Sequence, residues 1–94
     1  MIEARKNYFI NLSKEEKLQL KFTDFTNTEI KEILEEMQIK EECKQIAIMH
    51  HVECLTIEEI AYKLQIDRKT VIRRLKLLLM HLRWTCIKLF FKNE

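Results

Sequence analysis

Apolar residues recur along this chain at the spacing of helices rather than strands. The clearest case is Ile30, Ile33, Leu34 and Met37, at i, i+3, i+4 and i+7, which describes one buried helical stripe. A bend is expected near Gln38 to Lys40. Beyond it Ile39, Cys43, Ile46, Ala47, Met49 and His50 continue helical spacing through roughly 40–53. Upstream, residues 1–12 carry no clear period, although Tyr8, Phe9, Ile10 and Leu12 are apolar enough to pack on something. Ser13 with Glu16 reads as a capping box, in which each side chain satisfies the other residue's unpaired backbone N–H. It predicts a short helix from about Lys14 to Phe22, ended by turn residues between Thr23 and Thr28. Thr26 with Glu29 is a second capping box.

The sharpest boundary comes next. Thr56 and Glu59 make a third capping box, followed by Ile60, Ala61 and Leu64 on one face of a short helix. Asp67 can cap a new helix beginning at Arg68. That helix runs through Val71, Leu75, Leu78, Leu79 and Leu82 without a breaker and extends toward Phe91.

Composition sharpens the fold class. Glycine and proline are both absent from the 94 residues, so turns must be made by Asn, Asp, Ser and Thr, and hairpins needing positive φ are hard to build. An all-α fold is expected, as a single domain over 1–94. Within it, 1–38 form an N-terminal helical segment, 40–82 a helix-turn-helix core and 83–94 a C-terminal helix extension. Three cysteines, an odd number, and a polar N-terminus from Met1 to Asn7 point to a reducing, cytoplasmic setting. No membrane span is expected, because Arg83, Lys88 and Lys92 interrupt the most apolar stretch.

Net charge is only +2, but it is unevenly spread. From Asp67 onward there are eight basic residues and two acidic ones, so a basic C-terminal third sits on a mildly acidic body. That asymmetry points to a surface for a polyanion.

A short helix, a turn of three or four residues and a second helix is the local form of a helix-turn-helix. Its packing demands are met in turn by small Ala61 at the helix crossing, Ile60 and Leu64 as anchors, Ile66 as the apolar plug of the turn, and Val71 and Leu75 on the inner face of the second helix. At this point Glu53-Cys54-Leu55-Thr56-Ile57-Glu58-Glu59-Ile60-Ala61 resembles the E-G-L-T-x-E-E-I-A run of sigma-factor region four. The stretch Leu64-Gln65-Ile66-Asp67-Arg68-Lys69-Thr70-Val71 resembles the L-G-I-S-x-x-T-V run shared by that region and the LuxR/GerE domains. The resemblance covers about residues 40–82 and implies a tetrahelical DNA-binding domain whose last matched helix lies in the major groove. Two departures stand out, since Cys54 and Gln65 occupy positions where those families usually carry glycine. Gln65 must then enter a turn conformation that glycine adopts more easily, at a cost of roughly 1 kcal/mol.

Given that match, the helix assigns roles. With Val71 and Leu75 inward, Arg68, Lys69, Ile72, Arg73 and Lys76 are expected outward. Arg68, Lys69 and Arg73 are candidates for base edges, and Ile72 for a thymine methyl. Lys76, Thr56 and Arg74 are candidates for phosphates, which fix register without reading sequence. The plainer alternative is a solvated basic face.

The C-terminal helix is too apolar for one buried stripe. A homodimer interface through Leu82, Trp84, Ile87, Phe90 and Phe91 is therefore expected, against the alternative that the segment around Tyr8, Phe9 and Phe22 folds over it. Lying on a membrane surface would strand the recognition helix. Cys43, His50 and Cys54 share a helical face, but Cys43 and His50 stand about 10 Å apart along a helix axis, too far for one zinc. No metal or other cofactor is expected, and no enzyme, since neither a glycine-rich loop nor a nucleophile constellation can be assembled. The sequence reads as a small bacterial or phage transcription regulator that binds double-stranded DNA, in which contact with RNA polymerase is a further possibility. The rival is a sigma-like interaction module that binds polymerase or a regulator without reading DNA.

Overall fold

All three capping boxes are formed. In the computed structural model, which describes residues 5–91 and their side chains to 89, Ser13, Thr26 and Thr56 each accept from the backbone N–H three residues on. Glu16, Glu29 and Glu59 return the bond to the cap N–H at 2.8–2.9 Å. These caps start α2 (Lys14–Lys17), α3 (Asn27–Glu36) and α5 (Ile57–Leu64). The remaining helices are α1 (Lys6–Ile10), α4 (Glu41–Ala47) and α6 (Arg68–Phe91), so the described residues are all helix and loop, without a strand.

The helix expected over Lys14 to Phe22 stops after one turn, and the chain re-forms as a 3₁₀ turn over Phe22–Asp24. Core demand explains the break. On a continuous helix Leu20 and Phe22 would point about 200° apart, so only one could be buried. With the helix interrupted, Leu20, Phe22 and Phe25 all enter the core. Lys17 is carried inside with them, and its ammonium donates to the Ile10 carbonyl at 3.1 Å. Glu29 is also fully enclosed. It meets Arg5 at 2.7 Å, which ties the start of α1 to the start of α3.

The stripe Ile30, Ile33, Leu34 and Met37 is buried as expected, and the bend falls between α3 and α4, where Met37 is extended. The second stretch begins as α4 and ends as a π-helical turn over Ile48–Val52. This wider turn sets His51 flat on Phe22, with ring centres 4.2 Å apart, while Nδ1 of His50 donates to the Leu55 carbonyl at 3.0 Å. Burial, aided by the neighbouring His50, lowers the pKa of His51 from 6.5 to about 4. The unfolded chain therefore binds this proton more readily than the folded one, and the stabilisation from neutral His51 is present above pH 6.5 and lost as pH falls toward 4. On the order of 2 kcal/mol of acid sensitivity is expected in that window, allowing for partial solvent contact. His51→Phe keeps the stack and should flatten the pH dependence of the urea midpoint there relative to the parent chain. Parallel curves would show that the fold does not lower the His51 pKa.

Helix α6 is the spine of the molecule and contacts each of the other five helices. Val71, Leu78, Leu82 and Cys86 run down its inner side, each at most 1% exposed, and join Phe9, Ile33, Ile46 and Ile60 in a single core. Burial pushes the Cys86 thiol up to about 12. The apolar excess of this helix is thus met largely within one chain, because α1 to α4 pack along it. Leu82 is a correction to the expected dimer interface. It is fully enclosed by its own chain and has no surface to offer a second copy.

Candidate nucleic-acid interface

The turn between α5 and α6 is built from residues that hold it without glycine. Gln65 closes α5 in the left-handed region, at φ 55° and ψ 46°, and its N–H bonds back to the Tyr62 carbonyl at 3.3 Å. The Ile66 N–H reaches the Ala61 carbonyl at 3.1 Å, which folds the plug of the turn back over the first helix. Asp67 holds the cap position of α6 through its backbone, its carbonyl accepting from Val71 at 3.1 Å. No side-chain bond of the Asp67 carboxylate is present among the described residues, so the cap expected from it is made by the main chain alone. On the far side of α5, the Glu59 carboxyl is held below the usual carboxylate range by the Thr56 N–H and then by its hydroxyl.

Among the described residues, positive φ at a non-glycine residue occurs at Cys54 and Gln65, the two positions where the resembled families usually carry glycine. Both are therefore places where a side chain crowds its own carbonyl. Gln65→Gly should raise the unfolding free energy by about 1 kcal/mol, as relief of this crowding outweighs the added freedom of the unfolded chain. Equilibrium denaturation checks this, and a loss of stability would mean that the Gln65 side chain makes a compensating contact.

Val71 is fully buried and Leu75 partly so, so the inner face of α6 is the expected one. Lys69, Arg73 and Lys76 are exposed at i, i+4 and i+7, one cation per turn at intervals of about 5.4 Å along a single outer stripe. Among the described residues none of the three has an ion-pair partner. Arg68 is exposed beside them and meets Glu58 of α5 at 3.4 Å, both groups more than half open to solvent. Such a pair is weak and screened by salt, so it leaves the guanidinium available. Ile72 is half-buried at the edge of the stripe.

Thr56 is exposed at the other end of the motif. Its oxygen accepts from the Glu59 N–H at 3.1 Å, and its hydroxyl also faces the Glu59 carboxylate. Arg74 is a second correction. The 100° step per residue carries it round α6 toward α4, where its guanidinium is paired with Glu42, so it is already engaged rather than free for phosphate.

Two further exposed residues flank the motif on α5. Tyr62 is 85% exposed on α5 and Lys63 lies beside it. The available signal was position, since two residues after buried Ile60 a helix has turned to its opposite side. Of the expected dimer residues, Trp84 is exposed and Ile87 half-buried, while the side chains of Phe90 and Phe91 lie outside the described residues. Comparison with protein families, with characterised proteins and with solved structures returns no match for this chain.

Proposed function

We propose that this protein binds double-stranded DNA through the α5–α6 helix-turn-helix, with the N-terminal half of α6 in the major groove, as a small bacterial or phage transcription regulator. The observation that carries the reading is the row of cations without an ion-pair partner among the described residues, Lys69, Arg73 and Lys76, opposite a buried Val71 on a helix that follows a tight turn. Unpaired cations on successive turns repel one another, and a strand of phosphates or acceptor-rich base edges relieves that repulsion. The left-handed Cys54 and Gln65 add support, because they give the chain the turn geometry that glycine supplies in the families it resembles.

In this reading Arg68, Lys69 and Arg73 face base edges, with Ile72 against a thymine methyl. Lys76, Thr56, Tyr62 and Lys63 meet phosphates, the last two because the first helix of such a motif crosses the backbone. The test is binding to the duplex just upstream of the protein's own gene, titrated against salt beside a scrambled duplex. Site preference with affinity falling steeply as salt rises is the expected result. Equal, weak binding to both duplexes would leave only a basic surface. The rival module, which binds RNA polymerase or a regulator without reading DNA, has no use for the three free cations. Their joint replacement by glutamine would leave that activity intact while abolishing DNA binding.

A further inference from the structure

The outer stripe of α6 changes character halfway along. After Lys69, Arg73 and Lys76 it continues as Leu77, Met80, Trp84 and Ile87, a 3-4-3 spacing that spans about 15 Å. Leu77, Met80 and Trp84 are 47%, 56% and 68% exposed. Four apolar residues in register on the open side of a helix are the usual form of a seam for another helix.

The surroundings of this strip are concave and cationic. Trp84 and Ile87 form a ridge between two grooves of about 500 and 420 Å³. The larger is walled by Leu18 and Lys14 of the α2 region and by Arg83. The smaller carries Lys88, His81 and Glu36. Glu36 is the one carboxylate among the described residues lining either groove. Lys14, Arg83 and Lys88 have no ion-pair partner among the described residues.

We infer that the C-terminal half of α6 is a docking strip for an acidic amphipathic helix of a partner protein. Charge decides the occupant. For a helix lying on Leu77, Met80, Trp84 and Ile87, the flanking positions of α6 are Lys76, Arg83, His81 and Lys88. A second copy of the chain, parallel or antiparallel, would set these flanks against basic flanks of its own kind. A helix of about three turns with carboxylates on both flanks of its apolar face meets them with opposite charge. Shape decides against a lipid surface, since grooves on both sides of a single ridge fit a helix and leave a flat bilayer in contact with little but Trp84.

Trp84 is the only tryptophan, so its fluorescence reports on this strip directly. The test adds three probes to the DNA-free protein. They are a synthetic helix with Leu at i, i+3, i+7 and i+10 flanked by Glu, the same helix flanked by Lys, and vesicles of anionic lipid. The Glu-flanked peptide alone is expected to shift Trp84 emission to the blue at saturation. Met80→Ser should weaken that response. Lys14→Glu with Lys88→Glu should weaken it by about tenfold and pass the preference to the Lys-flanked peptide. All three substituted positions are exposed, so the fold is not at risk, and unchanged far-UV circular dichroism verifies this. A blue shift that grows with protein concentration alone would give the strip to a second copy. A shift with vesicles but not peptide would give it to lipid. Equal response to both peptides, or no response to any probe, would also overturn the inference. None of these outcomes bears on whether the protein reads DNA.

Discussion

Leu82→Ala is expected to lower the unfolding free energy by about 2–5 kcal/mol, which for a domain of this size is a large part of its total stability. Leu82 has no exposed surface and lies between Leu78 and Cys86 on the inner side of α6, in the core that also holds Phe9, Ile33, Ile46 and Ile60. Cutting its isobutyl group back to a methyl loses the transfer free energy of three carbons and leaves a cavity that the surrounding core cannot easily close. The control is Trp84→Ser, two residues away and 68% exposed, expected to change stability by less than about 0.5 kcal/mol. Urea denaturation of the two variants distinguishes a core position from a surface one. Comparable losses in both would mean that Trp84 is covered in solution, and no loss at Leu82 would overturn the packing of α6. Leu82→Glu should leave no folded chain at all, since an unpaired carboxylate would then be forced into that core.

The second large effect concerns DNA. Arg73→Ala should weaken binding to the preferred duplex by about 1–3 kcal/mol, or roughly 5- to 150-fold, and relax preference at one or two base pairs. Its side chain is exposed, has no ion-pair partner among the described residues and is central in the cationic stripe, so the fold should be untouched. Lys76→Ala provides the contrast. It should weaken all sequences to a similar degree and reduce the slope of log affinity against log salt by about one. Competition binding with permuted duplexes at several salt concentrations reads both effects. An Arg73→Ala protein that binds its site normally would mean that the stripe does not enter the groove in this orientation.

Much of the helical framework was legible because its signals are local. A capping box needs only residues three apart, and all three were formed where Ser13, Thr26 and Thr56 announced them. The inner stripe of α3 and the inward turn of Val71 were likewise readable, since 3.6-residue spacing is a property of the segment itself. Even the left-handed Gln65 followed from a short motif, because a turn that tight leaves little choice of backbone. The exposed cations of α6 are the complement of that inward face.

Other features depended on what each segment meets in space. The helix expected over Lys14 to Phe22 broke because Leu20, Phe22 and Phe25 are all drawn into one core, and tertiary burial outweighs local helix propensity. The availability of Arg74 depended on Glu42, more than thirty residues earlier, which no spacing rule connects to it. The same holds for α6. Its sequence stated that it carries more apolar residues than one stripe can bury, but not where they go. That division follows from how helices α1 to α4 lie along it. They enclose Leu78, Leu82 and Cys86 and leave Leu77, Met80 and Trp84 open. The three capping boxes, the apolar stripes of α3 and α6 and the outward Lys69, Arg73 and Lys76 could be read from sequence, because these arise from contacts within a few residues. Which apolar face is core and which is surface was decided only by the tertiary structure, because burial is a property of the neighbours that surround a residue.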